Sequence, residues 1–227
     1  MLLPLLMVAG VAAGLAAHGM YHRNSPMFGR VVRRTGAPGT VALTFDDGPN
    51  PGATPAILDT LRDERVPATF FLLGKHVERW PELARRVVDE GHTLGNHGYH
   101  HRKLHWRGPA YVRLDIALGT QAIVAATGHH PHLFRAPHGF RSPWVSAIAR
   151  EFDQRTVGWS LGVWDSDRPG VARIVNRTEA GTRGGSIVLL HDGDGYDLDG
   201  DRMQTAAALP LIIRSLRARG LQFVSLP

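Results

Sequence analysis

Short apolar runs separated by amphipathic stretches set the plan of this chain. Apolar, β-branched and aromatic residues cluster at Val41–Phe45, Ala68–Leu73, Leu133–Phe134, Thr156–Trp159, Ser186–Leu190 and Leu221–Val224. Runs of this kind, bounded by turn residues, read as buried strands. Between them the spacing changes to that of a helix. Pro55 to Leu61 follows Thr54, which is placed to cap it. Val77, Trp80, Leu83, Val87 and Val88 share one helical face before Gly91 closes the segment. Val112 to Ala126 and Gln204 to Leu216 carry the same period. Strands alternating with helices give a parallel sheet of the α/β class. The 227 residues suffice for one such core, and no internal repeat or low-complexity tract interrupts it.

Met1 to Ala17 is a different kind of segment, apolar and uncharged apart from the α-amino group. It is short for a spanning helix, which needs roughly 20 residues. It also lacks the basic n-region of a signal peptide, although Gly14-Leu15-Ala16 offers small residues near a cut site. Arg23, Arg30, Arg33 and Arg34 come after it, an order that works against export under the positive-inside rule. The alternative is a buried helix of the fold itself. This divides the chain into a signal peptide or membrane anchor over 1–22, a linker over 23–39 and one domain over 40–227.

Charge narrows the partners. The formal net charge of +6 comes from 26 Lys and Arg against 20 Asp and Glu, and nearly all the cations are Arg. Such an excess favours anionic envelope polymers or lipid headgroups. No basic stripe is interleaved with aromatics, which argues against nucleic acid as a partner. The absence of cysteine fits an extracytoplasmic bacterial protein without disulfides.

Candidate chemistry begins at Thr44-Phe45-Asp46-Asp47-Gly48-Pro49, where two adjacent carboxylates end an apolar run before a Gly-Pro break. A turn there would aim both acids into one cleft, although adjacent strand residues otherwise point to opposite faces. Two like charges so close are costly unless a cation or a cationic side chain offsets them. An Asx-type turn is the plainer account of these residues in isolation. Further on, Gly95-Asn96-His97-Gly98-Tyr99-His100-His101 places His97 and His101 at i, i+4, so a helical turn would put both imidazoles on one face, with His100 off it. Two imidazoles and one carboxylate suit zinc or another borderline divalent ion and leave coordination positions open.

With three later segments, these residues resemble the polysaccharide deacetylases, the NodB-homology domain of carbohydrate esterase family 4. Thr44 to Pro49 matches the first family motif in full. His97 and His101 match the second, with Gly98 where the family has a hydroxyl residue. Arg135-Ala136-Pro137-His138-Gly139 matches the third, with His138 in the aromatic slot. Asp165, in Trp159-Ser160-Leu161-Gly162-Val163-Trp164-Asp165, matches the fourth, with Ser166 where Trp is usual. Leu189-Leu190-His191 is the fifth. The order is the family's, from about Val41 to the C-terminus. Singly, Arg135 reads as a cap or surface pair, Asp165 as a turn residue and His191 as a core histidine; together they converge on one metal hydrolase inventory.

The resemblance implies a distorted (β/α) barrel of about seven parallel strands, with the apolar N-terminal segment outside it. It implies metal-dependent removal of acetyl from N-acetylglucosamine-type residues of a chitin-like glycan or peptidoglycan. Asp47, His97 and His101 would hold the metal, most simply zinc, with cobalt or another divalent ion as alternatives. Asp46 would be the base, oriented by Arg135, and His191 the acid, oriented by Asp165. The His138 N–H would bind the oxyanion, Leu189 would line the acetyl pocket, and Trp164 or Trp159 would replace the wall lost at Ser166. Loss of the hydroxyl at Gly98 would loosen the ligand loop, at a cost on the order of 10–100-fold. Other functions stay open at this point: a related metal amidohydrolase, an O-acetyl esterase, or a non-catalytic envelope-binding module. The family's substrates place the domain outside the cytoplasm, associated with the membrane through residues 1–20, as a monomer.

One acidic stretch lies outside the motifs. Asp192 to Asp201 alternates acids as a calcium loop does, but Tyr196 occupies the third ligand slot and no Glu closes the frame. It reads instead as a solvated loop at the cleft rim, whose negative potential would attract amino sugars already freed of acetyl.

Overall fold

A computed structural model describes residues 2–227, apart from several side chains at the start of the first helix. That helix, α1, spans Leu2–Tyr21. Eight parallel strands follow: β1 (Thr40–Asp46), β2 (Thr69–Leu72), β3 (Thr93–Asn96), β4 (Leu133–Phe134), β5 (Arg155–Thr156), β6 (Leu161–Gly162), β7 (Ser186–His191) and β8 (Gln222–Phe223). Seven of them run in the order β5-β4-β3-β2-β1-β7-β6, and β8 pairs with the start of β1. Among the described residues no ladder joins β5 to β6, so the sheet curls into an incomplete barrel. The expected α/β architecture of about seven strands is the observed one.

Both faces of the sheet are covered, which is why its strands read as nearly unbroken apolar runs. In β1, Val41, Leu43 and Phe45 face the outer helices, while Ala42 joins Phe71, Ile187 and Leu226 inside. The period of two then carries Thr44 and Asp46 to the inner face, so one strand supplies both core and site.

The helices are α2 (Ala53–Glu64), α3 (Gly74–Arg79), α4 (Pro81–Asp89), α5 (Pro109–Thr127), α6 (Val145–Glu151), α7 (Val171–Gly181) and α8 (Met203–Ala218). Two differ from the sequence reading. The face from Val77 to Val88 is split between α3 and α4, because Pro81 forces Trp80 out of the helical region, at φ −133° and ψ 63°. Thr54 lies inside α2 and is not its cap; the side chain of Asn50 accepts the N–H groups of Gly52 and Ala53 instead.

The described side chains Met7, Val11 and Leu15 of α1 are exposed, so α1 is not a buried helix of the core. Among the described residues no helix is long and apolar enough to cross a membrane. The anchor expected over 1–20 rests partly on side chains outside that description. Among the described residues, α1 docks at its end, where Tyr21 meets the rings of His105, Trp106 and Phe140. Residues 23–39 then run along the domain. Arg23 and Asn24 donate to the carbonyl of Trp159, and Val32 bridges to Val157 beside β5.

Candidate active site

Five strands deliver side chains to one end of the sheet, their C-terminal ends. Asp46 is the last residue of β1, in register with His191, the last of β7. Asp47 follows with φ 73°, the left-handed turn that brings the second acid toward the same cleft. His97 follows β3, Arg135 follows β4, and Asp165 opens a short 3-10 turn beyond β6.

His97 and His101 do not share a helical turn. They sit on an irregular loop in which Gly98 has φ 81° and His101 φ 57°. Its backbone is tied down by side chains: Asn96 Oδ1 accepts the Gly98 N–H at 2.8 Å, and Asp115 accepts those of Tyr99 and His100 at 3.2 and 3.1 Å. A Cβ at position 98 would collide with the Asp115 carboxylate. Glycine at this place thus comes with its own brace. Asp115 has a signal in the sequence, since it is a lone acid on the otherwise apolar face of Val112, Ile116 and Ile123.

The loop aims both imidazoles at one carboxylate. His97 Nε2 lies 3.3 Å and His101 Nε2 3.1 Å from Asp47 Oδ1, an atom that is buried without a hydrogen-bond partner. His97 Nδ1 lies 2.8 Å from the Arg135 carbonyl, to which it donates, leaving Nε2 free as a ligand. The three ligand atoms lie within 4.8 Å of one another. The local field favours a cation. Burial opposes ionisation of Asp47, yet His101 and His97 hold it well below the usual carboxylate range. Burial likewise opposes a charge on His97, yet Asp46 and Asp47 raise its pKa above the ordinary value. An orphaned buried carboxylate oxygen between two imidazoles fits a divalent metal.

Beside this cluster, Arg135 is fully buried, with its Cζ 4.0 Å from the centre of the Phe71 ring. It donates to Asp46 Oδ1 at 2.6 Å, Thr44 Oγ1 at 2.8 Å and the Gly158 carbonyl at 3.0 Å. Across the cleft, His191 Nδ1 lies 2.9 Å from Asp165 Oδ1. Burial alone would lower the His191 pKa, but Asp165 overrides it and lifts the group to about 9. Asp165 is held low by the same partner against its burial, and Thr205 donates to its other oxygen.

The cleft between these groups encloses about 610 Å³, lined also by Leu189, Trp164, Trp159 and Ser166. Trp164 is largely exposed at the rim. His138, at φ 59°, places its ring 4.6 Å from that of His101 and its Nε2 2.9 Å from the Tyr196 hydroxyl. Burial, with help from His101 and His97, pushes its pKa down to about 4, so it is neutral near pH 7. All ten residues singled out in the sequence therefore surround one cavity or brace a residue that does.

Several cleft residues carry no motif. Tyr21, His22 and Arg23 line it from the end of α1, as do Asp194, Tyr196 and Arg202 from the acidic loop. That loop does sit at the rim, but it is not wholly solvated. Asp194 pairs with Arg202 at 2.7 Å, and Asp192 is buried, accepting from Thr54 Oγ1 at 2.6 Å. Burial lifts the Asp192 pKa to about 7.

Comparison with known proteins gives the family. Residues 33–157 match the family model described as polysaccharide deacetylase. A chitooligosaccharide deacetylase of a Bradyrhizobium species is 43% identical over 197 residues, covering 83% of this chain and 89% of that one. A peptidoglycan-N-acetylglucosamine deacetylase of Bacillus cereus is 40% identical, covering 82% of this chain and 85% of its own length. Among solved structures, a peptidoglycan N-acetylglucosamine deacetylase bound to a naphthyl N-hydroxybenzamide superposes with a TM-score of 0.77. It is 35% identical, with 83% of this chain and 86% of that one covered. The chain belongs to the polysaccharide deacetylase family.

Proposed function

We propose that this member of the polysaccharide deacetylase family hydrolyses the N-acetyl group of N-acetylglucosamine-type residues in an envelope glycan, releasing acetate. The observation that carries the reading is the pairing, across one cleft, of a metal-ligand cluster at Asp47, His97 and His101 with a charged imidazole at His191.

Asp47, His97 and His101 would hold a divalent ion, zinc by the chemistry of the donor set, and that ion supplies Lewis acidity to a water and to the acetamide carbonyl. Asp46 accepts the proton of the attacking water. Its carboxylate is fixed in direction by Arg135, which keeps one oxygen occupied and the other turned toward the cleft. His191 is the acid: with its pKa near 9 it carries the proton at neutral pH and gives it to the departing amine, which an amide does not expel unprotonated. Asp165 holds that imidazole in tautomer and direction. The His138 backbone N–H assists the developing oxyanion, and Leu189 with Trp164 bounds the space for the acyl methyl.

A glycan of the envelope puts the domain over 40–227 outside the cytoplasm. Tyr21 and His22 line the cleft, which supports α1 as a retained membrane anchor over a cleaved leader. Acetate release from N-acetylglucosamine oligomers and from peptidoglycan by the full chain tests the reading. Release from one and not the other names the substrate, and release from neither refutes it.

A further inference from the structure

Away from the cleft, a second cavity of about 510 Å³ lies between the segment Arg30–Gly36 and α6, over the edge strand β5. Arg30, Arg33, Arg34, Arg150 and Arg155 line it with Thr156, and no acidic residue does. It shares no lining residue with the catalytic cleft.

Two of the five guanidiniums are engaged: Arg34 donates to the Gly184 carbonyl at 3.0 Å, and Arg155 to the Pro227 carbonyl. Among the described residues, the side chains of Arg30, Arg33 and Arg150 have no hydrogen bond or ion pair. The nearest acids in sequence are turned elsewhere. Glu151 pairs with Arg113 at 2.8 Å, and Asp153 faces His132 at 3.0 Å. Concentrating like charges without a counter-ion is unfavourable unless an anion joins them.

A second observation comes from the wall of the cavity. Thr156 is 5% exposed, and its Oγ1 is buried with no hydrogen-bond partner. Phe134, its register partner on β4, packs in the cluster with Val145, Ile148 and Ala149 of α6, so Thr156 lies on the same, outer face of the sheet. A buried hydroxyl without a partner is a rare feature, and beside free guanidiniums it completes a donor set.

We propose that this cavity binds a phosphate group, held by the forked donors of Arg30, Arg33 and Arg150 and by the Thr156 hydroxyl. Guanidinium matches the tetrahedral oxyanion through paired N–H donors, which a lysine cluster would not reproduce. The phosphate belongs either to a lipid headgroup, near the end of the apolar α1, or to a soluble or polymer-borne phosphate.

Calorimetric titration of the full chain with inorganic phosphate tests this. Saturable binding is expected, weakened at least tenfold in the double substitution Arg30→Ala/Arg150→Ala and by a few-fold in Thr156→Val. A thermal melt of each variant establishes that it is folded; the arginines are exposed, so their loss leaves the fold intact. Sedimentation with phosphatidylcholine vesicles, with and without phosphatidylglycerol, separates the sources. Phosphatidylglycerol-dependent binding that the double substitution abolishes assigns a lipid headgroup. Phosphate binding with no preference between the vesicles assigns a non-lipid phosphate. No phosphate binding by the unaltered protein, or equal binding by the double variant, overturns the proposal.

Discussion

His191 and Asp165 are joined twice: the imidazole Nδ1 faces one carboxylate oxygen at 2.9 Å, and the backbone N–H of His191 donates to the other at 2.8 Å. One carboxylate thus fixes both the ring and the strand end that carries it.

The pH dependence follows from this pair. The folded-state pKa of His191, about 9, lies above the ordinary imidazole value of 6.5. Its contribution to stability is therefore complete below about pH 6.5 and is lost as pH rises through about 9. If His191 is the acid, acetate release falls on the alkaline side near pH 9. Asp165→Asn moves that limb toward the ordinary imidazole range. A pH–rate profile of the variant measures the displacement.

Arg135 makes three donations from full burial, so its loss strands the Asp46 carboxylate. Arg135→Ala is expected to destabilise the fold by about 3–5 kcal/mol, as removal of one partner from a buried pair does. Arg135→Lys keeps the charge but cannot reach Asp46, Thr44 and the Gly158 carbonyl together. It is expected to fold and to lose most of the activity. Urea unfolding and acetate release, read side by side, separate the two effects.

The strands that were plain in the sequence are those with enough apolar residues to declare themselves, β1 and β7 above all. β3 was not, because Thr93-Leu94-Gly95-Asn96 carries one large apolar residue; a side chain at Gly95 would strike the Phe71 ring, so close packing has removed the signal. β6 has two residues. The run Thr156–Trp159 was legible as extended, but its hydrogen bonds are divided among β4, Val32 and the Arg135 side chain. The catalytic inventory was visible because it is carried by short motifs at strand ends. Tyr21 and Arg23 were not, since tertiary packing alone brings them to the cleft, and Thr205 was not, since only the fold sets it against Asp165. Asp115 lay between these cases, visible as an acid out of place.

Bracing of the metal-ligand loop through Asp115 has two consequences. Gly98→Ala meets both the positive φ of 81° and the Asp115 carboxylate, and is expected to cost about 1–3 kcal/mol. Asp115→Ala releases the N–H groups of Tyr99 and His100 and is expected to weaken metal binding by about 10–100-fold. Competition with a chromophoric chelator gives the affinity, and thermal melts give the stability.

Binding of a metal to the folded state alone stabilises it by mass action. Zinc at 100 times its dissociation constant is expected to add about 2.7 kcal/mol and to raise the melting temperature accordingly. His97→Ala removes a ligand and should abolish that increment, while His100→Ala, whose ring is turned toward Asp115, should leave it unchanged.

Acetate release from N-acetylglucosamine oligomers by chelator-treated protein, with zinc added back, tests the proposed chemistry most directly when Asp46→Asn is assayed beside it. Activity restored by zinc, and lowered by about 10²–10⁴-fold in an Asp46→Asn protein that still binds the metal, is the expected result. Undiminished release by chelated protein, or equal release by Asp46→Asn, would contradict it.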